Sequence, residues 1–205
     1  EAVYRYLLPL PRIRFMLADD TGAGKTIMTG LLIKELLFRE VIEKVLIITP
    51  GGLTRQWAED ELAEKFGLSA RLVNRASFDA EPSQFGRTDG GIFVTSIDFI
   101  SRNEACLKAA EQTSWDMIVV DECHKLSAYE YGSKLDESER YRALKTLSPR
   151  TDHLLFLTAT PHRGRKDTFR RLLMLLDADL FTKDEHVTSR VQEDIGATAL
   201  EEAEG

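Results

Sequence analysis

Hydrophobic positions along the 205-residue chain fall into two alternating patterns, short apolar runs and longer amphipathic stretches. Four to eight consecutive apolar residues bounded by turn residues are typical of buried strands, whereas apolar residues at helical spacing indicate helices. The predicted strands cover residues 13–18, 44–49, 70–73, 92–95, 115–121 and 153–157. The predicted helices cover residues 27–38, 53–66, 97–112, 139–147 and 166–176.

This alternation favours an α/β domain with a mostly parallel central sheet and helices on both faces. In such folds, ligands bind at the carboxyl ends of the strands. Two segments interrupt the pattern. Residues 78–91 contain one proline and three glycines and are predicted to form a loop, and residues 126–138 show no period and are predicted to be a loop that can move.

Composition is consistent with one globular domain followed by an acidic tail. The chain is 43% hydrophobic and 30% charged, which allows a sizeable core. Its net charge of −7 is concentrated in residues 182–205, where seven acidic and two basic residues leave −2 for residues 1–181. A body this close to neutral can still present a basic groove to a nucleic acid. The tail has a weak apolar pattern, and we expect it to be disordered or incompletely folded.

Several classes of protein are excluded at this stage. No apolar run approaches the roughly 20 residues of a membrane span, and no segment has the layout of a signal peptide. We therefore expect a soluble, cytoplasmic fragment with no membrane partner. Cys106 and Cys123 lack metal-ligand spacing and are expected to be reduced thiols, with Cys123 a small filler rather than a nucleophile.

The strongest chemical signal is the segment LADDTGAGKT, residues 17–26, which joins the first predicted strand to the first predicted helix. Its glycines let consecutive backbone N–H groups and a helix N-terminus point at one polyphosphate, with a lysine reaching the β and γ phosphates and a threonine hydroxyl binding Mg²⁺. Asp19 replaces the first glycine of the strict phosphate-loop pattern, and an ordinary strand-to-helix turn is the alternative. The candidate phosphate-binding residues are Thr21, Gly22, Ala23, Gly24, Lys25 and Thr26.

A second candidate site follows the strand MIVVD, where Asp121 and Glu122 end the apolar run. Adjacent carboxylates repel each other, and a cation relieves that repulsion. Asp121 would hold Mg²⁺ through water, Glu122 would orient and deprotonate an attacking water, and His124 would contact the phosphate or another motif. A solvated turn is the alternative for these residues. Their position about one hundred residues after the phosphate loop is typical of phosphoryl-transfer sites.

A third motif, TATPHRG, follows the last predicted strand at residues 158–164. Its two hydroxyls, Thr158 and Thr160, are positioned to hydrogen-bond to the turn at residues 121–124. In order and spacing, GAGKT, DECH and TATPHRG resemble the first motor domain of superfamily 2 DExH-type helicases and translocases. The segments IITPGGLTRQW and VTSIDFIS make the resemblance closest to the Swi/Snf-like branch, over residues 1–181.

The resemblance implies a three-layer RecA-like P-loop NTPase domain over residues 1–181. It implies that Lys25 and Thr26 bind ATP and Mg²⁺, that Asp121 and Glu122 are the metal-binding and water-activating pair, and that Thr158 and Thr160 couple hydrolysis to DNA movement. It also implies a second RecA-like domain that supplies arginines to the ATP site. The glutamine that recognises adenine in this family would precede Glu1.

Nucleic-acid contacts are predicted less directly. The resemblance implies that the segments around Gly51 and Thr95 contact a DNA backbone, and the positive charge of Arg55 and Arg163 suits phosphate contacts. Surface solvation is the alternative for both arginines. Trp57 and Trp115 are able to stack on bases, but their apolar positions favour the core.

The leading hypothesis is the ATP-binding lobe of a DNA-dependent ATPase that translocates on duplex DNA, nearly inactive as an isolated fragment. A strand-separating RNA or DNA helicase is the alternative within the same chemistry. A nucleotide-binding assembly module without turnover and a small-molecule kinase are alternatives of other classes.

Overall fold

The computed structural model describes residue 8 and residues 10–18, 24–126, 128–131, 134–159 and 166–177. The described strands of the central sheet are β1 Arg14–Ala18, β2 Lys44–Thr49, β3 Ala70–Val73, β4 Gly91–Ser96, β5 Trp115–Val120 and β8 Thr151–Thr158. They form a fully parallel sheet in the order β1-β8-β5-β2-β4-β3. A separate antiparallel hairpin is formed by β6 Ala128–Tyr131 and β7 Lys134–Glu137.

In the described residues, six α-helices and one π-helix accompany the strands. The α-helices are α1 Lys25–Phe38, α2 Arg75–Ala80, α3 Ile97–Arg102, α4 Glu104–Glu111, α5 Glu139–Leu147 and α6 Lys166–Leu176. The π-helix spans Gln56–Glu64 and follows a 3₁₀ turn at Gly51–Leu53. Within the part of the chain that the structure describes, no helix is long and apolar enough to cross a membrane.

Helices cover both faces of the sheet, as the sequence predicts. On one face, Leu32 and Ile33 of α1 pack with Trp57 and Leu62 of the π-helix against the strands. The opposite face is covered by apolar residues of α3, α4, α5 and α6. Strand interiors are buried on both sides, which explains why their sequences are continuous apolar runs instead of alternating ones.

Three predictions need correction. The predicted loop 78–91 begins inside α2, which Asn74 caps: its side chain accepts a hydrogen bond from Ser77 N–H at 3.0 Å, while Ser77 Oγ accepts one from Asn74 N–H at 2.9 Å. The predicted helix 97–112 is two helices, because Asn103 leaves the helical conformation and caps α4. The predicted loop 126–138 contains the β6–β7 hairpin.

The first strand is tied to the end of α6 through one half-buried side chain, that of Arg14. The Arg14 guanidinium donates hydrogen bonds to backbone carbonyls of Leu175 (2.8 Å), Leu176 (2.5 Å), Thr151 (3.0 Å) and Ser148 (3.1 Å). The last carbonyls of a helix have no partner within the helix, so these bonds satisfy two of them. Arg14 thereby fixes α6 against the strand that leads to the phosphate loop.

Candidate functional site

A cavity of about 330 Å³ opens at the carboxyl edge of the sheet, between the first turn of α1 and the π-helix. It brings together residues from the first two chemical motifs. Lys25 and Glu122, for example, both line it and are 97 positions apart in the sequence. Its walls are formed by Gly24, Lys25, Thr26, Ile27, Leu53, Gln56, Trp57, Glu61, Lys65, Asp121, Glu122 and Ala159.

The α1 wall presents a helix N-terminus. Gly24 precedes the helix in a left-handed conformation (φ 82°, ψ 16°), and a Cβ added there would meet no atom within 4 Å. Its carbonyl accepts the first helical bond from Met28 N–H at 2.8 Å. Lys25 and Thr26 follow at the positions where backbone N–H groups have no helical partner. Of the remaining candidates in this loop, Thr21, Gly22 and Ala23 lie outside the described residues.

Asp121, at the end of β5, is held by two donors. Trp57 Nε1–H donates to its Oδ2 at 2.8 Å, and the backbone N–H of Glu122 donates to its Oδ1 at 2.8 Å. Burial raises the pKa of Asp121 above its ordinary value. The hydrogen bonds from Trp57 and Glu122 and the charge of Lys25 oppose that rise.

Glu122 has an unusual backbone and a buried carboxylate oxygen. Its φ of 51° and ψ of 45° lie in the left-handed region, which costs a non-glycine residue about 1 kcal/mol and is found preferentially at functional sites. Its Oε2 is buried, and the described residues offer it no hydrogen-bond partner. His124 Nδ1 lies 3.1 Å from that oxygen. The two side chains form an ion pair only when His124 is protonated.

His124 also connects the second motif to the third. Its Nδ1 lies 3.1 Å from Thr158 Oγ1 at the end of β8, with hydrogen-bond geometry. The structure therefore contains the contact expected between Thr158 and the turn at residues 121–124. Thr160 lies outside the described residues. Cys123 is buried beneath this turn, where burial and the neighbouring carboxylates of Asp121 and Glu122 raise the pKa of its thiol.

The site suits a nucleotide and Mg²⁺. A helix N-terminus with an adjacent lysine provides positive charge for phosphates, and two carboxylates with a threonine hydroxyl provide the oxygen ligands that Mg²⁺ prefers. The Glu122 Oε2 gives the clearest indication, because it is buried, has no hydrogen bond among the described residues and lies 3.1 Å from His124 Nδ1, which leaves an acceptor position for a ligand or a water.

Three of the predicted nucleic-acid contacts, Gly51, Arg55 and Thr95, lie in the described residues, and a Cβ added at Gly51 would lie 3.8 Å from Ser96 Cβ, next to Thr95. Gly51 and Arg55 are exposed after β2. Thr95 is fully buried, and its hydroxyl donates to the Val73 carbonyl at 2.8 Å. That hydroxyl bridges β4 and β3, and the contact of the segment around Thr95 with a DNA backbone stays a prediction. Arg163 lies outside the described residues.

Sequence reasoning missed the contribution of the π-helix to this site. Leu53, Trp57, Glu61 and Lys65 recur every fourth residue and line the cavity, while Glu61 Oε2 accepts a hydrogen bond from Lys65 Nζ at 2.6 Å. Both tryptophans are core residues, as expected, each 2% exposed. The four-residue spacing was the available signal, but nothing local to it indicates an approach to Asp121.

Comparison with known proteins identifies the family. The model of the SNF2-related domain matches residues 12–204. The chain belongs to this family. The match runs through residues 182–204, where the sequence analysis assigned no roles and which lie outside the described residues.

Curated relatives of this SNF2-related domain include RNA polymerase-associated proteins named RapA. Those from Actinobacillus pleuropneumoniae serotype 3 and Yersinia pseudotuberculosis serotype O:1b are each 34% identical to it, over 82% and 87% of the chain. The chain spans 18% of the length of either relative.

Solved structures share the RecA-like fold. The SWI2/SNF2 ATPase core of Sulfolobus solfataricus, in complex with double-stranded DNA, aligns with a TM-score of 0.65 and 22% identity over 85% of this chain and 33% of that chain. The UvsW helicase of bacteriophage T4 aligns with a TM-score of 0.56 and 18% identity over 82% of this chain and 54% of that chain.

Proposed function

We propose that this chain is the ATP-binding lobe of a DNA-dependent ATPase that moves along duplex DNA. The observation that carries the proposal is the single cavity shared by the α1 N-terminus, with Lys25 and Thr26, and by the Asp121–Glu122 pair. Membership of the SNF2-related family supports the same activity. A cytoplasmic location and a second RecA-like domain of the same protein belong to this proposal.

Residues of the phosphate loop and Asp121 hold the nucleotide and its metal ion in this scheme. Gly24, Lys25 and the first N–H groups of α1 bind the phosphates, and Lys25 neutralises part of their charge. Thr26 and Asp121 hold Mg²⁺, with Asp121 acting through water. When bound, Mg²⁺ supplies charge stabilisation to the phosphate oxygens as the anhydride bond breaks. Thr21, Gly22 and Ala23 complete the phosphate loop in the proposal.

Glu122 is the proposed general base. Its buried Oε2 has an open acceptor position, so it accepts a hydrogen bond from the attacking water and then takes that water's proton. The left-handed backbone at Glu122 directs the side chain away from the path that a continuing strand would give it. Proton transfer of this kind contributes about 10²–10⁴-fold to a rate.

Coupling to movement is assigned to the contact between the second and third motifs. The hydrogen bond between His124 and Thr158 joins the turn that carries Glu122 to the end of β8. A change at Glu122 therefore reaches the segment after β8, where Thr160 and Arg163 complete the proposed coupling and DNA contacts. Gly51 and Arg55, which follow β2, are further proposed contacts with the DNA backbone.

Duplex DNA is the proposed track because the Sulfolobus SWI2/SNF2 core has been captured with double-stranded DNA. The test is the ATPase rate of the whole protein with duplex DNA, single-stranded DNA and RNA of matched length. We expect the strongest stimulation by duplex DNA. Equal stimulation by all three would overturn the duplex assignment, and the absence of ATPase activity under every condition would overturn the enzymatic one.

A strand-separating helicase is the second candidate, supported by the likeness to the UvsW helicase. The two candidates are distinguished by a displacement assay. A translocase removes a bound protein or a third strand from an intact duplex, whereas a helicase releases a labelled strand from a partial duplex. Strand release that keeps pace with ATP turnover would favour the helicase.

A further inference from the structure

The indole of Trp57 donates a hydrogen bond to Asp121 that has no role in the function proposed above. Trp57 is the second residue of the π-helix and Asp121 ends β5, so their hydrogen bond joins elements 64 residues apart in sequence. The ring is 2% exposed and packs with Leu62 and the apolar residues of α1. Its position is therefore set by the core, and it cannot follow a moving carboxylate.

The two donors to Asp121 act on different oxygens. Trp57 Nε1–H holds Oδ2, and the Glu122 N–H holds Oδ1, each at 2.8 Å. Rotation of the carboxylate about its Cβ–Cγ bond would break both bonds. Each oxygen keeps a further lone pair, and Asp121 lines the cavity, so the open acceptor positions have a fixed direction.

The other tryptophan shows what an ordinary buried indole does in this fold. Trp115 is also 2% exposed, and its Nε1–H donates at 2.9 Å to the carbonyl of Ala110, five residues earlier in the chain. That bond satisfies a buried donor and touches no residue of the cavity. Trp57 instead uses the carboxylate that is the proposed Mg²⁺ ligand.

We infer that Trp57 is a positioning residue, whose indole N–H fixes the Asp121 carboxylate in the orientation that binds hydrated Mg²⁺. The inference rests on the proposed function. Outer-shell donors to a metal-ligating carboxylate restrict its orientation, and their loss typically lowers metal affinity about 10- to 100-fold. Trp57 thereby makes the π-helix a part of the metal site.

The test is equilibrium binding of ADP to the whole protein, with and without Mg²⁺, in Trp57→Phe and Trp115→Phe. Each substitution keeps a buried aromatic ring and removes one N–H donor. In Trp57→Phe we expect the gain in ADP affinity on adding Mg²⁺ to fall about tenfold, with metal-free affinity nearly unchanged. In Trp115→Phe we expect both affinities to stay at the wild-type values, with a similar loss of thermal stability.

A double substitution tests whether Trp57 acts through Asp121. In an Asp121→Asn background, Trp57→Phe should cause no further loss of the Mg²⁺-dependent gain, because the carboxylate that it orients is absent. An equal further loss would overturn the inference. An unchanged Mg²⁺-dependent gain in Trp57→Phe alone would also overturn it while leaving the proposed function intact. If the wild-type protein gains no ADP affinity from Mg²⁺, both proposals fail.

If Trp57→Phe does not fold, NMR of the wild-type Trp57 indole provides a second test. With tryptophan indoles labelled by ¹⁵N, one Nε1–H signal of the ADP-bound whole protein should move when Mg²⁺ is added. That signal should be altered in Asp121→Asn before Mg²⁺ is added. If no indole signal responds to either change, the inference is overturned.

Discussion

At the scale of single residues, Glu122 combines two features that a solvated turn does not need. A left-handed backbone is costly for glutamate, and a buried oxygen that accepts no hydrogen bond from the described residues is costly for any carboxylate. Both features are explained if the Glu122 side chain is positioned to contact a bound ligand. The proposed general-base role accounts for the two together.

The corresponding prediction concerns Glu122→Gln in the whole protein. The amide keeps the size of the side chain but cannot take a proton, so we expect ATP turnover to fall at least about 100-fold. Nucleotide affinity should change little, because Lys25 and the α1 N-terminus are untouched. Turnover is measured by phosphate release, with Glu137→Gln as the control, since Glu137 pairs with Lys145 on the hairpin side (2.7 Å). Normal turnover in Glu122→Gln would remove Glu122 from the mechanism.

His153 predicts a pH dependence of stability. Its ring is 6% exposed, and its Nδ1 accepts a hydrogen bond from Ile13 N–H at 3.0 Å. Burial lowers the pKa of His153 in the folded protein, so the unfolded chain binds a proton more readily. The contribution to stability is complete above the unfolded pKa of about 6.5 and is lost as pH falls from there towards the lower folded pKa.

The experiment compares wild type with His153→Asn in urea unfolding between pH 7.5 and pH 5.5. Asparagine can keep an acceptor near the position of Nδ1 but does not titrate in this range. The wild-type free energy of unfolding should fall relative to the variant below about pH 6.5, with a slope of at most about 1.4 kcal/mol per pH unit. Parallel pH profiles would show that His153 makes no such contribution.

At the scale of elements, the start of β4 depends on one glycine. Gly90 has a φ of 68°, and a Cβ added there would lie 2.7 Å from the carbonyl oxygen of Glu43. The same oxygen accepts a hydrogen bond from Gly91 N–H at 2.8 Å, which aligns β4 with the start of β2. Neither the backbone conformation nor the close approach tolerates a side chain.

We therefore expect Gly90→Ala to destabilise the domain by about 2 kcal/mol or more, since a left-handed alanine costs about 1–2 kcal/mol before the clash with Glu43. Gly86→Ala is the matched control. Its φ lies outside the left-handed region, and the added methyl meets no atom within 4 Å, so its stability should stay close to wild type. Urea unfolding measures both, and equal stability of the two variants would contradict the prediction.

Long periodic elements could be predicted from the sequence, but short capped ones could not. Helices 139–147 and 166–176 have the bounds that their apolar spacing indicates, because that spacing is what buries them. The six-residue helix α2 is too short for a period, and only the Asn74–Ser77 capping pair marks it. The β6–β7 hairpin is polar, and its signal was the Gly132-Ser133 pair between two four-residue runs.

The candidate site could likewise be predicted from the sequence only in part. Residues adjacent to strand ends could be assigned to one edge of a parallel sheet, which accounts for the shared cavity of Lys25 and Glu122. The hydrogen bond from Trp57 to Asp121 could not be predicted, because it depends on the direction in which the π-helix points its side chains. The burial of the Thr95 hydroxyl could not be predicted either, since the strand pleat and not the motif decides which way it points.

At the scale of the whole molecule, the cavity has few cations for a polyphosphate. Among its described lining residues, the positively charged ones are Lys25 and Lys65, and Lys65 is paired with Glu61 at 2.6 Å. Charge that develops during phosphoryl transfer needs further positive groups, and an arginine supplied from outside a nucleotide lobe is worth about 10³–10⁵ in rate. The family resemblance assigns those arginines to a second RecA-like domain.

The isolated chain of residues 1–205 should therefore bind ATP weakly and hydrolyse it at least about 100-fold more slowly than the whole protein, because the arginines of the proposed second RecA-like domain act mainly on the transition state. Phosphate release is compared at equal concentrations with duplex DNA present, and a Glu122→Gln version of each protein measures contaminating activity. The two proteins should differ far more in turnover than in ADP affinity, since Lys25 and the α1 N-terminus are common to both. Turnover by residues 1–205 at the rate of the whole protein would show that the lobe completes its own site.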